Sequence, residues 1–533
     1  MVTLLLLGTG VGCKKYLDVN KNPNAPQQVT PNLYLGPMLS HMAMAPMWDG
    51  RYVGRYAQMW TGYTPTFWDG MGFQSGSDNN SEHWRAVYWL FGYNLVNMIN
   101  QAEEEERWDL LGVGYILKAW GWQSLTDMHS DIIITQAFDL SRTKFDYDSQ
   151  EFAYEEVERL LKLAIYNLKR EDGAISSTFL GAGDEIYKGD RQKWLKFAYG
   201  LLAKNRSHLS NKGNLYNPDD VIKYVDSAFV SNADNALMPF KGTYNDVTNF
   251  YSPARNNFET MRQTEFIVEL LNGAQFDGVV DPRLSRMLAP SPDGEYRGLR
   301  PETGWSVYTA EQRPLNMLGY AAAPTGELPG HYIFTNEGPV PIMTYSELQF
   351  IKAEAAFLKG DGAVALDAYR KGVEAHLDFV NEATNRAGRG DITYTRTVNG
   401  APQVDVVTTV RPISAAEREA FLTSSVVPTN PADLTLSAIM SQKYISLWGW
   451  GFLEAWTDLR RYHYEDVDPD TGEPVMRGFE IPPVEFLDAD NAGKPVYRVR
   501  PRYNSEYIWN AEALEKIGGL ERDYHTKIMW IFE

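Results

Sequence analysis

The chain has 533 residues, 44% hydrophobic and 22% charged, with 69 Asp and Glu against 50 Lys and Arg and a formal net charge of −19. That length and apolar content support a sizeable folded core and exclude a disordered chain, while the negative mean field disfavours nucleic acid and anionic lipid as partners. A single cysteine excludes an intramolecular disulfide framework and every thiol-pair metal or redox site, and 15 Trp, 31 Tyr and 23 Phe supply either interhelical filler or flat platforms for carbohydrate.

The chain begins with an apolar run from Val2 to Leu7 and a small-residue stretch, Gly8, Thr9, Gly10 and Gly12, leading to Cys13. The run is too short for a bilayer span of about 20 residues, and its pattern is that of a secretory signal. The sole cysteine at the cleavage position predicts a lipoprotein signal over residues 1–13, with Cys13 acylated as the first mature residue. Acyl chains contribute about 0.8 kcal/mol per buried methylene, enough to hold an aqueous body at a membrane. A polar lead-in rich in Pro and Asn follows.

Helical spacing then recurs along the chain. Tyr88, Phe91, Leu95, Met98 and Ala102 step by three and four, as do Val157, Leu161, Ala164 and Leu168, and Trp194, Phe197 and Leu201. Leu348, Ile351, Ala355 and Leu358 form one apolar face, Gly360-Asp361-Gly362 breaks it, and Leu366, Tyr369, Val373 and Leu377 form the next, predicting an antiparallel helix pair of the tetratricopeptide type. The last long helix is expected from Leu436 to His463. Two irregular stretches, about 48–84 and about 240–341, interrupt these blocks; loops this long in a folded protein are usually functional or disordered, and their aromatic content argues for order. No Pro- or Ser-rich linker separates the helical blocks, so residues 14–533 read as a single, mainly α domain with a large loop-rich region.

Sugar binding requires apolar ring faces for C–H surfaces and planar polar groups for hydroxyl pairs. The first irregular stretch offers Trp60, Trp68, Asp69, Phe73, Asp78, Asn79 and Trp84; the second offers Asn256, Asn257, Arg283, Trp305 and Tyr308. Trp68 and Trp305 lie in Gly-rich sequence with weak apolar periodicity and are the leading platforms. Trp448, Trp450 and Trp456 lie in the late helix and read as packing. Arg283, in the turn Asp281-Pro282-Arg283-Leu284, either contacts ligand or ties loops together. No acid and base pair stands out among the carboxylates, there is no HExxH, Walker A loop or GxSxG, and the trio Asp127, His129 and Asp131 is weak as a metal set. No cofactor is expected, although loop carboxylates could hold a structural calcium ion.

Several blocks carry a family resemblance. The lead CKKYLDVNKNPN from Cys13, Lys193–Asn211 (KWLKFAYGLLAKNRSHLSN), Thr344–Asp361 (TYSELQFIKAEAAFLKGD), Ser437–Tyr464 (SAIMSQKYISLWGWGFLEAWTDLRRYHY), Arg500–Asn510 (RPRYNSEYIWN) and Lys527–Trp530 (KIMW) resemble the SusD/RagB surface lipoproteins of Bacteroidetes. The resemblance implies a superhelix of four tetratricopeptide-like pairs with an irregular ligand region. It also implies a non-catalytic lipoprotein on the outer face of the outer membrane, which captures oligosaccharides and delivers them to a SusC-type TonB-dependent transporter. Capture of peptides in the same role is the nearest alternative, and a glycoside hydrolase the more distant one. Leu125–Phe138 resembles a turn of that family, but Ser130 stands where the family has glycine, so the backbone is expected to shift there.

Overall fold

The computed structural model describes residues 29–73, 78–243, 247–320, 330–387, 392–398, 401–407, 410–468 and 470–533. Cys13, with the signal expected over residues 1–13 and the lead-in after it, lies outside the described residues.

The helix Trp108–His129 is buried on nearly every side, as a helix apolar all round must be. It packs on Gln150–Leu168, which packs on Arg191–Ser207, which in turn meets Pro218–Asp226. The expected pair follows as Tyr345–Lys359 and Gly362–Ala387. Its boundaries have local causes. Thr344 and Glu347 cap the first helix reciprocally, and Gly360 ends it in the left-handed conformation at φ 84°. The helix Leu436–Leu447 packs on Tyr345–Lys359. The result is a mainly α, tetratricopeptide-like array with short strand pairs, and one apolar core runs through it from Leu35 to Val499.

Two sequence expectations need correction. The late helix is broken in two, Leu436–Leu447 and Phe452–Arg461. Trp448 turns extended, Gly449 takes φ 95°, and the Trp448 Nε1–H donates to the Met59 carbonyl at 2.8 Å. The irregular stretch from 48 also starts later than expected, because the helix Leu35–Tyr56 runs through its first nine residues. Gly50 and Gly54 serve close packing in that helix: a Cβ would lie 2.5 Å from Phe452 at the first and 2.3 Å from Trp60 at the second.

The break creates a helical hairpin whose inner face is ionic. Lys443 lies 2.9 Å from Glu454 and 2.8 Å from Asp458, and Arg461 lies 2.7 Å from Asp458 and 2.8 Å from Glu354. Lys204 reaches Glu347 at 2.6 Å and Glu454 at 3.3 Å. His208 sits between Glu454 at 3.0 Å and Asp127 at 3.3 Å, with all of these side chains buried or nearly so. Burial alone would discharge His208, but Glu454 and Asp127 outweigh it and raise the imidazole to about 9. Asp127 is further held by Gln123 at 2.9 Å and by the Tyr154 hydroxyl.

Ser130 departs from expectation as well. It adopts φ 72° and ψ −105°, a conformation suited to glycine, so the turn keeps a glycine-like backbone with a side chain in place. Ser130→Gly is therefore expected to stabilise the fold by about 1 kcal/mol, read as a higher denaturation midpoint at unchanged slope.

The raised His208 also sets a pH dependence. Its stabilisation is full below the unfolded pKa of about 6.5 and is lost as pH rises through about 9. Asp49, pushed up to about 7 chiefly by burial, acts with the same sign at lower pH: its contribution is lost from about 3.8 upward through about 7. Between pH 7 and 9 His208 alone is expected to lower stability by at most about 1.4 kcal/mol per pH unit. His208→Gln should flatten that slope in thermal melts, and an unchanged slope would place the titrating group elsewhere.

Candidate functional site

The two irregular stretches meet in one short antiparallel ladder. Trp60–Gly62 pairs with Met261–Gln263 in the register Trp60↔Gln263, Thr61↔Arg262 and Gly62↔Met261. Tyr63 N–H continues it to the Thr260 carbonyl at 3.0 Å, and Trp305 N–H donates to the Tyr63 carbonyl at 3.0 Å. The approach is close enough that a Cβ on Gly304, itself at φ 53°, would lie 2.7 Å from that carbonyl. The sequence therefore needs glycine immediately before Trp305 to bring the two loops together.

This junction assembles a strip of rings. Trp305 lies on Tyr63 with centroids 4.4 Å apart and planes at 47°, and Tyr63 meets Phe67 at 5.4 Å. The Arg313 guanidinium is 4.8 Å from the Trp305 ring, while that of Arg262 is 5.4 Å from Trp305 and 5.7 Å from Tyr63. Arg262 is held by backbone carbonyls, among them Pro314 at 2.9 Å. Burial lowers it to about 10, so it remains a cation at neutral pH. Trp68, next to Phe67, is half-buried with its edge on Tyr56 at 6.1 Å, and its Nε1–H donates to the Phe486 carbonyl at 2.8 Å. A cleft of about 140 Å³ opens beside this loop, lined by Gln58, Glu265, Glu269, Arg300, Glu302 and Glu480 among others. Arg300 bridges Glu265 at 2.5 Å and Glu480 at 3.4 Å across it.

Of the residues expected at a site, Trp305 and Trp68 lie on or beside this strip. Tyr308, half-buried, donates to the Gly298 carbonyl at 3.2 Å on the same loop. Asn256 is half-buried at φ 51° and donates to Glu259 at 3.1 Å, and Asn257 donates to the Phe250 carbonyl at 3.0 Å. Asn79 is half-buried in the turn after Asp78.

Others are structural. Trp84 is buried against Tyr88 at 4.8 Å and His129 at 4.9 Å. Phe73 is buried edge-on to Tyr56 at 5.0 Å. Asp69 accepts the Tyr56 hydroxyl at 2.7 Å and the Met71 N–H at 3.1 Å, and burial raises its pKa. Asp78 takes 2.6 Å contacts from both Arg502 and Asn504, tying in the C-terminal segment. Arg283 has no exposed surface; it forks onto Asp281 at 2.9 and 2.6 Å and reaches Gln442 and His376, so of its two readings the loop tie is the one observed. Trp60 is buried as well, with Nε1–H donating to the Gly50 carbonyl at 3.0 Å.

The trio Asp127, His129 and Asp131 diverges: His129 Nδ1 faces the Val499 carbonyl and Asp131 accepts from the Gln150 N–H. Among the described residues no cluster of His, Cys, Asp or Glu has the makings of a metal site, and no helix is long and apolar enough to cross a membrane. Tyr63, Phe67, Arg262 and Arg313 escaped the sequence reading. The cluster Tyr63-Thr64-Pro65-Thr66-Phe67-Trp68, three rings among turn-forming residues, was the available signal.

Comparison with known proteins gives the class. A SusD-like family profile, described as starch-binding and associating with the outer membrane, matches residues 23–482. The chain belongs to that family, whose members bind rather than catalyse, and it is not an enzyme. No curated protein sequence matches it. Among solved structures, a SusD/RagB family protein from Bacteroides thetaiotaomicron is similar at 21% identity and TM-score 0.67, over 95% of this chain and 99% of that one. A chitin-binding SusD homologue from Flavobacterium johnsoniae is similar at 20% identity and TM-score 0.65, over 94% and 98%. A SusD homologue from Bacteroides fragilis is similar at 18% identity and TM-score 0.64, over 95% and 100%.

Proposed function

We propose that this protein is a non-catalytic lipoprotein, held in the outer membrane through acylated Cys13 and facing the cell exterior, that captures oligosaccharides and delivers them to a SusC-type TonB-dependent transporter. The observation that carries the proposal is the strip Trp305, Tyr63 and Phe67, with Trp68 beside it, fixed by backbone hydrogen bonds where the two loops meet. Rings fixed in advance spend little of their stacking energy on ordering, which suits recognition of pyranose faces. Family membership and the chitin-binding relative support a saccharide ligand over a peptide.

Calorimetry of the full-length chain against plant, microbial and host glycans and a peptide digest tests this reading. Saturable binding to one glycan class without cleavage is expected; binding to peptides alone would reassign the cargo. Trp305→Ala and Trp68→Ala should each cost roughly 1 to 3 kcal/mol of affinity while leaving the melting temperature nearly intact. Cys13→Ser should release the protein from the membrane fraction, and undiminished membrane partition would overturn the anchor.

A further inference from the structure

Next to the ring strip, one face of the helix Leu35–Tyr56 carries an aromatic and cationic patch that the proposed oligosaccharide site does not use. Trp48 is 41% exposed. The Arg51 guanidinium lies 4.1 Å from the Trp48 ring, 5.4 Å from Phe250 and 5.7 Å from Tyr52. Trp48 in turn meets Phe250 at 5.6 Å, and Arg255 lies 5.3 Å from the Phe250 ring. Buried Arg55 ties the patch to the strip: it lies 5.1 Å from Tyr52 and donates to the carbonyl of Phe67.

Arg51 has its polar contact within its own helix. Its Nε–H donates to the Trp48 carbonyl at 3.3 Å, and among the described residues neither Arg51 nor Arg55 takes part in an ion pair. Arg85, Arg107, Arg142 and Arg159 are each matched with a glutamate or aspartate, and Arg262 and Arg460, without an ion pair among the described residues, are spent on backbone carbonyls. The nearest acid in sequence, Asp49, is turned inward, accepting the backbone N–H groups of Glu82 at 3.0 Å and His83 at 2.8 Å. The terminal nitrogens of Arg51 thus form a planar donor fork that no carboxylate of the described protein satisfies, held in place by the rings around it. Such a fork matches a carboxylate or sulfate, and the exposed part of Trp48 beside it, with half-buried Tyr52, matches the apolar face of a sugar.

We infer that Arg51, with Trp48 and Tyr52, forms a subsite for the acidic group of an anionic oligosaccharide, extending the neutral ring strip. The inference rests on the saccharide reading above and narrows it to glycans bearing uronate or sulfate groups. An acidic unit docks on the Arg51 fork while adjoining units run past Arg55 toward Tyr63 and Trp305.

The test is calorimetry of the full-length chain with polygalacturonate oligosaccharides, their carboxyl-reduced counterparts, chondroitin sulfate and its desulfated form. Binding of an acidic chain about tenfold or more tighter than its neutralised counterpart is expected, with Arg51→Gln removing that preference. Arg51→Lys, which keeps the charge but loses the fork, should restore only part of it, and Trp48→Ala should weaken acidic and neutral forms alike. Preference for the sulfated chain alone would identify sulfate as the group held. Equal affinity for acidic and neutralised chains, unchanged in Arg51→Gln with an intact melting curve, would overturn the inference and leave the oligosaccharide reading standing. Absence of binding to any glycan would overturn both.

Discussion

The buried ionic cluster on the helical hairpin 436–461 is the constraint on which the rest of the structure depends. Lys443, Glu454, Asp458 and Arg461 all belong to that hairpin, and they reach out to Lys204, His208, Glu347 and Glu354 on two other helices. Desolvating so many charges is costly, and such clusters are tolerable only when every member is satisfied. Satisfaction requires all three helical regions in one relative placement. An apolar interface of the same area would allow sliding; this one does not.

That placement reaches the ligand face through a short chain of contacts. The first helix of the hairpin carries Tyr444, whose hydroxyl donates to the Ala57 carbonyl at 2.9 Å, and the turn after it carries Trp448, which donates to the Met59 carbonyl. Residues 57–59 lead directly into the strand Trp60–Gly62, and that strand's partner positions the loop bearing Trp305. The rings that meet solvent are thus fixed, through two hydrogen bonds and one ladder, to the least deformable part of the core. Loops without regular structure can be rigid where their backbone polar groups are spent on such anchors.

The same physics decides what the sequence discloses. The block Ser437–Tyr464, which resembles the family, also carries the buried charges in mutual contact. The helix pair at 345–387 was legible from apolar spacing and from the glycine between its members. The break at Gly449 was not, because a helical period continues across it and only the pull of Met59 on Trp448 reveals the turn. The start of the first irregular stretch was misplaced for a related reason: Gly50 and Gly54 pack closely against Phe452 and Trp60, which are distant in sequence or across a turn. Among candidate contacts, Trp84 and Arg283 share composition with Trp305, and only tertiary placement separates a buried ring or fork from an available one. Trp48 and Arg51 were invisible for the opposite reason, since a ring and a guanidinium three residues apart on a helix become a site only when Phe250 and Tyr52 close around them.

A net charge of −19 and a local arginine fork act at different distances. Screening at physiological salt has a length of about 8 Å, so the mean field governs the approach of a charged polymer while contact is governed by the few groups within reach. Toward an acidic glycan the body would be repulsive from afar and the inferred fork at Arg51 attractive at contact. Added salt therefore assists encounter and weakens the bound state, lowering affinity mainly through a faster off-rate. A weak, salt-tuned hold would suit the delivery role proposed above, because a ligand held through a fully buried ion pair would be slow to leave.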